Sequence, residues 1–143
     1  MPSKKSISVS ELIDTLTKFT DEYLRGAMSF QAIGNSYDSV TISADHLAYM
    51  LRLMVEYGGE ESVLEVKLTV DTHLTIEAVF KNTLPELEEM TDIVAAGRKA
   101  GFIFDLSGNS MIFRTTITDK STLSVYALSE KQMLISLYTV FFV

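Results

Sequence analysis

The spacing of apolar positions changes several times along the chain, and each change marks an element. Between about Val9 and Arg25, Leu12, Leu16, Phe19 and Tyr23 recur at alternating steps of four and three, which lines one side of a helix. Ser8 and Glu11 form an S-x-x-E capping box in front of it, and Gly26 predicts its stop. Residues 27–35 carry no clear period and read as loop with some helical character. Ser39 to Ile42 reads as a short strand. Ser43 then caps a second helix from Ala44 to Tyr57, with Leu47, Met50, Leu51, Met54 and Val55 inward and Gly58-Gly59 as its end.

From Leu64 the period drops to two. Leu64, Val66, Leu68 and Val70 face one way and Glu65, Lys67 and Thr69 the other; Leu74, Ile76, Ala78 and Phe80 continue the pattern after a turn at Asp71-Thr72. This is a hairpin with one wet face. A third helix follows, its capping box read as Thr83 with Glu86 and Pro85 placed in the first turn. Acids crowd its start, Arg98 and Lys99 its end, and Leu87, Met90, Ile93, Val94 and Gly97 line its inner face. Gly101 predicts a left-handed cap. A second hairpin joins 102–106 to 111–118 through Ser107-Gly108-Asn109-Ser110, residues 122–128 read as one more strand, and Ser129 with Gln132 caps a last helix.

Strands that arrive as hairpins pair antiparallel and have one apolar face each, which the helices must cover. The predicted fold is therefore α+β: a two-layer sandwich with a mixed, mostly antiparallel sheet and helices on one face. At 143 residues, 47% hydrophobic and 22% charged, the chain suits one domain, residues 1–143. Within it, 1–38 is an N-terminal helix with a connecting loop, 39–128 the α/β core, and 129–143 the C-terminal helix.

Charge and composition narrow the function. With 12 Lys and Arg against 19 Asp and Glu, the net charge of −7 argues against nucleic acid and against anionic membrane surfaces. The absence of cysteine excludes disulfides, thiolate metal sites and a cysteine nucleophile. The apolar run from Met133 to Val143 falls well short of the roughly 20 residues of a bilayer span, and no secretory leader is read at the start, so a cytoplasmic location is expected.

Candidate chemistry is sparse. His46 and His73 stand at no metal-ligand spacing and are expected to face solvent. No serine sits in a G-x-S-x-G elbow, and Glu86, Glu88 and Glu89 read as a dipole-matched surface. An unrelated enzymatic cleft would have to draw on Asp45, His46, Asp71, His73 and Asp105 brought together from afar. No catalytic residue, metal or cofactor is expected.

The segment VTISADHLAYMLRLMVEYGG, the hairpin VLEVKLTVDTHLTIEAVFKNTLPE and the stretch IVAAGRKAGFIFDLSGNSMIFRTTI together resemble the ATP-binding domain of histidine kinases and their GHKL relatives, over about 40–117. The resemblance implies a Bergerat-like fold. It also implies an Mg²⁺-holding asparagine on the first conserved helix, with a glutamate one turn earlier in hydrolysing branches. Depending on register, Leu53 and Tyr57 or Tyr49 and Leu53 stand there, and neither pair offers the hard oxygen ligand Mg²⁺ requires. The family's adenine contact is an aspartate within D-x-G-x-G; the matching stretch here begins Lys81-Asn82-Thr83, a donor-only ammonium in place of the acceptor. The glycine-rich lid is missing as well.

The expectation is thus a non-enzymatic regulatory or scaffolding domain, related to signalling, that works through a protein partner or as a homodimer. Its interface is expected on the terminal helix at Tyr138, Phe141 and Phe142, a helix apolar on more than one side. The alternative is a nucleotide or small-molecule binder using an altered cleft lined by Tyr49, Leu53, Tyr57, Lys81 and Asn82.

Overall fold

The computed structural model describes residues 4–58, 64–81, 83–119 and 127–142. Its elements run β1 (Lys5–Ser8), α1 (Val9–Tyr23), β2 (Ser29–Ile33), β3 (Ser39–Ile42), α2 (Ala44–Gly58), β4 (Leu64–Val70), β5 (His73–Phe80), α3 (Leu87–Ala100), β6 (Ile103–Ser107), β7 (Ser110–Thr116) and α4 (Glu130–Phe142). A five-stranded sheet has the order β2-β4-β5-β7-β6, antiparallel except where β2 lies parallel to β4. β1 and β3 form a separate antiparallel pair. Ser39 exchanges both backbone bonds with Thr118, and the Leu128 N–H donates to the Ser6 carbonyl, so this small ribbon is stitched to the chain at both edges.

The alternation of β4 and β5 sets the layers. Leu64, Val66, Leu68, Leu74, Ile76, Ala78 and Phe80 are all buried, as are Met111 and Phe113 of β7. Their partners across the register share that face, and α2 and α3 cover it. Glu65, Lys67, Thr69, Thr75 and Glu77 line the opposite, polar face. The predicted two-layer α+β sandwich is the fold observed.

Local differences from the sequence reading have identifiable causes. Residues 29–33, expected as loop, are the edge strand β2; Phe30 and Ala32 pack inward, and parallel pairing with β4 supplies hydrogen bonds that no local turn signal announces. β1 was equally unmarked: four residues are too few to display a period. α1 stops at Tyr23 with Leu24 as its C-cap, short of Gly26, because the N–H groups of Ala27 and Met28 both turn back to the Leu24 carbonyl. The α3 capping box is Glu86 with Glu89, one turn later than Thr83 with Glu86, so Pro85 precedes the helix and Leu87, 76% exposed, points outward. The strand expected at 122–128 lies almost wholly outside the described residues. Gly101 does adopt the left-handed cap, at φ 116°, with its N–H and that of Phe102 returned to α3 carbonyls.

Two glycines let the helical layer sit close. A Cβ on Gly97 would fall 2.5 Å from the Phe113 ring and 3.1 Å from the Met50 sulfur, and one on Gly58 would fall 2.4 Å from the Phe80 ring. Both rings are buried and have no room to retreat. Gly97→Ala gains about 1 kcal/mol of helix propensity but incurs overpacking of about 1–3 kcal/mol. It is expected to destabilise the domain by up to about 2 kcal/mol in urea melts, whereas Ala95→Gly on the exposed side loses only the propensity.

Candidate functional site

Two surfaces hold the residues singled out above. The first is the seam between α2 and α3, below the end of β5. Tyr49 is 45% exposed on α2, and Tyr57 is half-buried in its last turn. Partial burial, then the carboxylates of Asp92, Glu56 and Glu89, hold the Tyr57 phenol above its usual range. The seam is therefore acidic. Leu53, by contrast, is 3% exposed and belongs to the core, so it lines no cleft.

Lys81 is also held away from the seam. Phe80 points inward, and Lys81, next along the chain, places its ammonium 2.9 Å from Glu65 Oε1 on the polar side of the sheet. That hydrogen bond and the lysine charge hold the Glu65 carboxyl below the ordinary carboxylate range. Asn82 lies outside the described residues. The histidines do separate work: His46 is half-buried with Nδ1 2.9 Å from Ser43 Oγ at the start of α2, which corrects its expected solvent-facing position. His73 is exposed, 3.1 Å from Thr72 Oγ1. Among the described residues no group of three or more His, Cys, Asp or Glu is arranged to hold a metal ion. Asp71 accepts from the His73 backbone N–H at 2.9 Å, and Asp105 shares the lining of a surface pocket with His73.

The second surface is where α4 crosses α1. Met133 and Leu137 are buried, and the capping box of Ser129 with Gln132 starts the helix as expected. Phe19 forms the floor of an aromatic cluster with Tyr23, Tyr138, Phe141 and Phe142, ring centroids 5.0–6.1 Å apart. The Tyr23 and Tyr138 hydroxyls are hydrogen-bonded to each other. Phe141 is packed against the core, whereas Tyr138 is 44% exposed and Phe142 54%, with Ile135 equally open.

Two polar contacts that the pattern did not reveal fix α4. Lys18 Nζ of α1 lies 3.0 Å from Glu130 Oε1 in the first turn of α4, which raises the lysine above its usual range. Arg52 of α2 donates from Nη1 to the Val140 carbonyl at 2.9 Å, while its Nε donates to Glu56, one turn on in its own helix, at 3.0 Å. Contacts across 88 and 112 residues carry no sequence signal.

No family model matches the sequence, and no curated protein does. Among solved structures, the catalytic domain of histidine kinase ThkA is similar over 81% of this chain and 95% of that one, at 16% identity and a TM-score of 0.51. The cytoplasmic segment of histidine kinase QseC (10% identity, 81% and 78% covered, TM-score 0.47) and the Acinetobacter baumannii histidine kinase AdeS (12%, 84% and 69%, 0.46) are also similar. The chain has the fold of a histidine-kinase catalytic domain, as the resemblance implied. Among the described residues no helix is long and apolar enough to cross a membrane.

Two predictions follow from the charges. Because the folded Glu65 carboxyl is held low, its pairing with Lys81 stabilises the fold above the unfolded carboxyl's range and is lost as pH falls through the folded value. Lys81→Met should therefore flatten the acid limb of a stability profile taken over roughly pH 2 to 7, with a small loss of stability at pH 7 and little change near pH 2. Asp92→Asn should lower the Tyr57 phenol toward its ordinary range, read residue by residue in an NMR titration of ring-labelled tyrosine.

Proposed function

We propose that this chain is a non-enzymatic regulatory or scaffolding domain that keeps a histidine-kinase-type fold and acts through protein contacts, as a homodimer or with a partner protein. The observation that carries this reading is the chemistry of α2. Where the family resemblance asks for a metal-holding amide and its companion, Leu53 is sealed in the core and Tyr57 stands among Asp92, Glu56 and Glu89. A phenol is a poor Mg²⁺ ligand, and three carboxylates repel a triphosphate. Lys81, at the place of the adenine-binding carboxylate, is committed to Glu65. The open side of the α1–α4 aromatic cluster supports the interaction role, since contiguous exposed aromatics favour protein contact.

The direct test is isothermal titration with ATP in the presence and absence of Mg²⁺. No heat up to millimolar nucleotide is expected, and no upward shift in melting temperature. Saturating heat near one site per chain overturns the reading and favours a nucleotide binder with an altered cleft. In the same preparation, Tyr138→Ala with Phe142→Ala should abolish retention of the partner while leaving the melting temperature within a few degrees, because both rings are substantially exposed.

A further inference from the structure

The tripeptide Gly-Asn-Ser occurs twice, at 34–36 and at 108–110, and the fold treats the two copies in opposite ways. The second copy forms the turn between β6 and β7. Gly108 has φ 59°, and Ser110, 9% exposed, is registered against Ser107 on one side and Val79 on the other. The Phe80 N–H donates to the Asn109 carbonyl at 3.1 Å. The peptide joining Asn109 to Ser110 is therefore held in the sheet and is not free to rotate. The first copy lies in the loop between β2 and β3, where Asn35 is exposed. There the Ser36 N–H enters no ladder; it donates to Asn35 Oδ1 at 2.8 Å. The backbone nitrogen thus rests against the side-chain amide of the residue before it, in contact with the oxygen bonded to the amide carbon.

We propose that Asn35 is a self-modification site, which deamidates through a cyclic imide formed with the Ser36 backbone nitrogen. That nitrogen gives up its proton to hydroxide and forms a bond to Asn35 Cγ. The bond from Cγ to the side-chain nitrogen breaks, and the departing nitrogen takes a proton from water and leaves as ammonia. One further water then opens the five-membered imide. Opening at one carbonyl yields aspartate; opening at the other yields isoaspartate, whose main chain runs through the former side chain and is one methylene longer. Solvent is the only co-reactant. Both reacting groups belong to adjacent residues and are already in contact, so the orientational part of the barrier is met in the folded chain.

The loop that carries Asn35 also closes the start of α1. The Ser36 carbonyl accepts from the Ser10 N–H at 3.0 Å, Ser36 Oγ accepts from the Asp38 N–H at 3.0 Å, and the Asp38 carbonyl accepts from the Val9 N–H at 2.8 Å. These bonds satisfy first-turn donors that have no partner within the helix. On the other side of Asn35, Gly34 has φ 86° and lies so near the Val70 carbonyl that a Cβ would fall 2.8 Å from its oxygen. An added methylene between these two anchors displaces Ser36 and frees the Ser10 N–H. Conversion to aspartate leaves the chain length unchanged and sets a carboxylate beside the positive end of α1, where it is tolerated. None of this draws on the α2–α3 seam or on the α1–α4 aromatics.

Peptide mapping by mass spectrometry on the full chain, incubated at pH 8, tests the proposal. In the folded protein Asn35 should gain one mass unit at least about tenfold faster than Asn109, a difference in barrier set by structure alone. The rate at Asn35 should rise with pH, because the Ser36 amide must lose a proton. In urea above the unfolding transition the two copies have the same neighbours and should react at similar rates. Asn35→Gln, whose ring would be one atom larger, should stay unmodified at that position. Isoaspartate-bearing chains, separated by ion exchange, should melt below the untreated protein, whereas Asn35→Asp should melt with it. Equal rates at the two copies in the folded protein overturn the proposal, and so does an Asn35 that reacts in urea but not in the folded chain. Isoaspartate-bearing chains that melt with the untreated protein overturn the effect assigned to α1.

Discussion

The close approach of α3 to the sheet at Gly97 is the contact on which the arrangement depends. Packed interiors have no slack for an extra methyl group, and here the Phe113 ring occupies the space a side chain would need. That contact fixes the height of α3 above β7 and its distance from Met50 on α2. It therefore sets the width of the α2–α3 seam and of the groove that Leu87, Met90 and Val94 of α3 line with Phe104 and Leu106 of β6. Gly58 against Phe80 repeats the device at the other end of α2. The two surfaces that flank α3, the acidic seam and the apolar groove, are thus consequences of one steric allowance.

Packing shapes the seam as much as charge does. Leu53 belongs to the interior that Met50, Met54 and Leu51 build around the glycine contact, so a polar residue there would be buried without a partner. Tyr57, at the margin, keeps its hydroxyl in a field of carboxylates. The outer sheet face takes up Lys81, where the strand's alternation delivers it.

The legible parts of the sequence were those governed by long, regular periods. The alternation in β4 and β5, the stripes of α1 and α2 and the glycine cap of α3 all appear where the pattern placed them, because burial on one face leaves the side-chain period in the sequence. β1 and β2 were not legible: they are short, and what holds them is pairing with β3 and β4, a property of the partner strand. The shift of the α3 cap to Glu86 shows a different limit. Glu86 with Glu89 is the same device as the threonine-led box set three residues later, and the sequence offers both registers. At the candidate surfaces, residue types were readable but their directions were not. Lys81 and Leu53 sit at the expected places in the chain and point elsewhere.

Arg52 joins the two surfaces. Its guanidinium is shared between Glu56, a carboxylate of its own helix, and the Val140 carbonyl of α4, and Glu56 is one of the charges felt by Tyr57. The seat of α4 and the charge of the seam thus meet in one side chain, so that a shift at either end changes the partners Arg52 has left for the other.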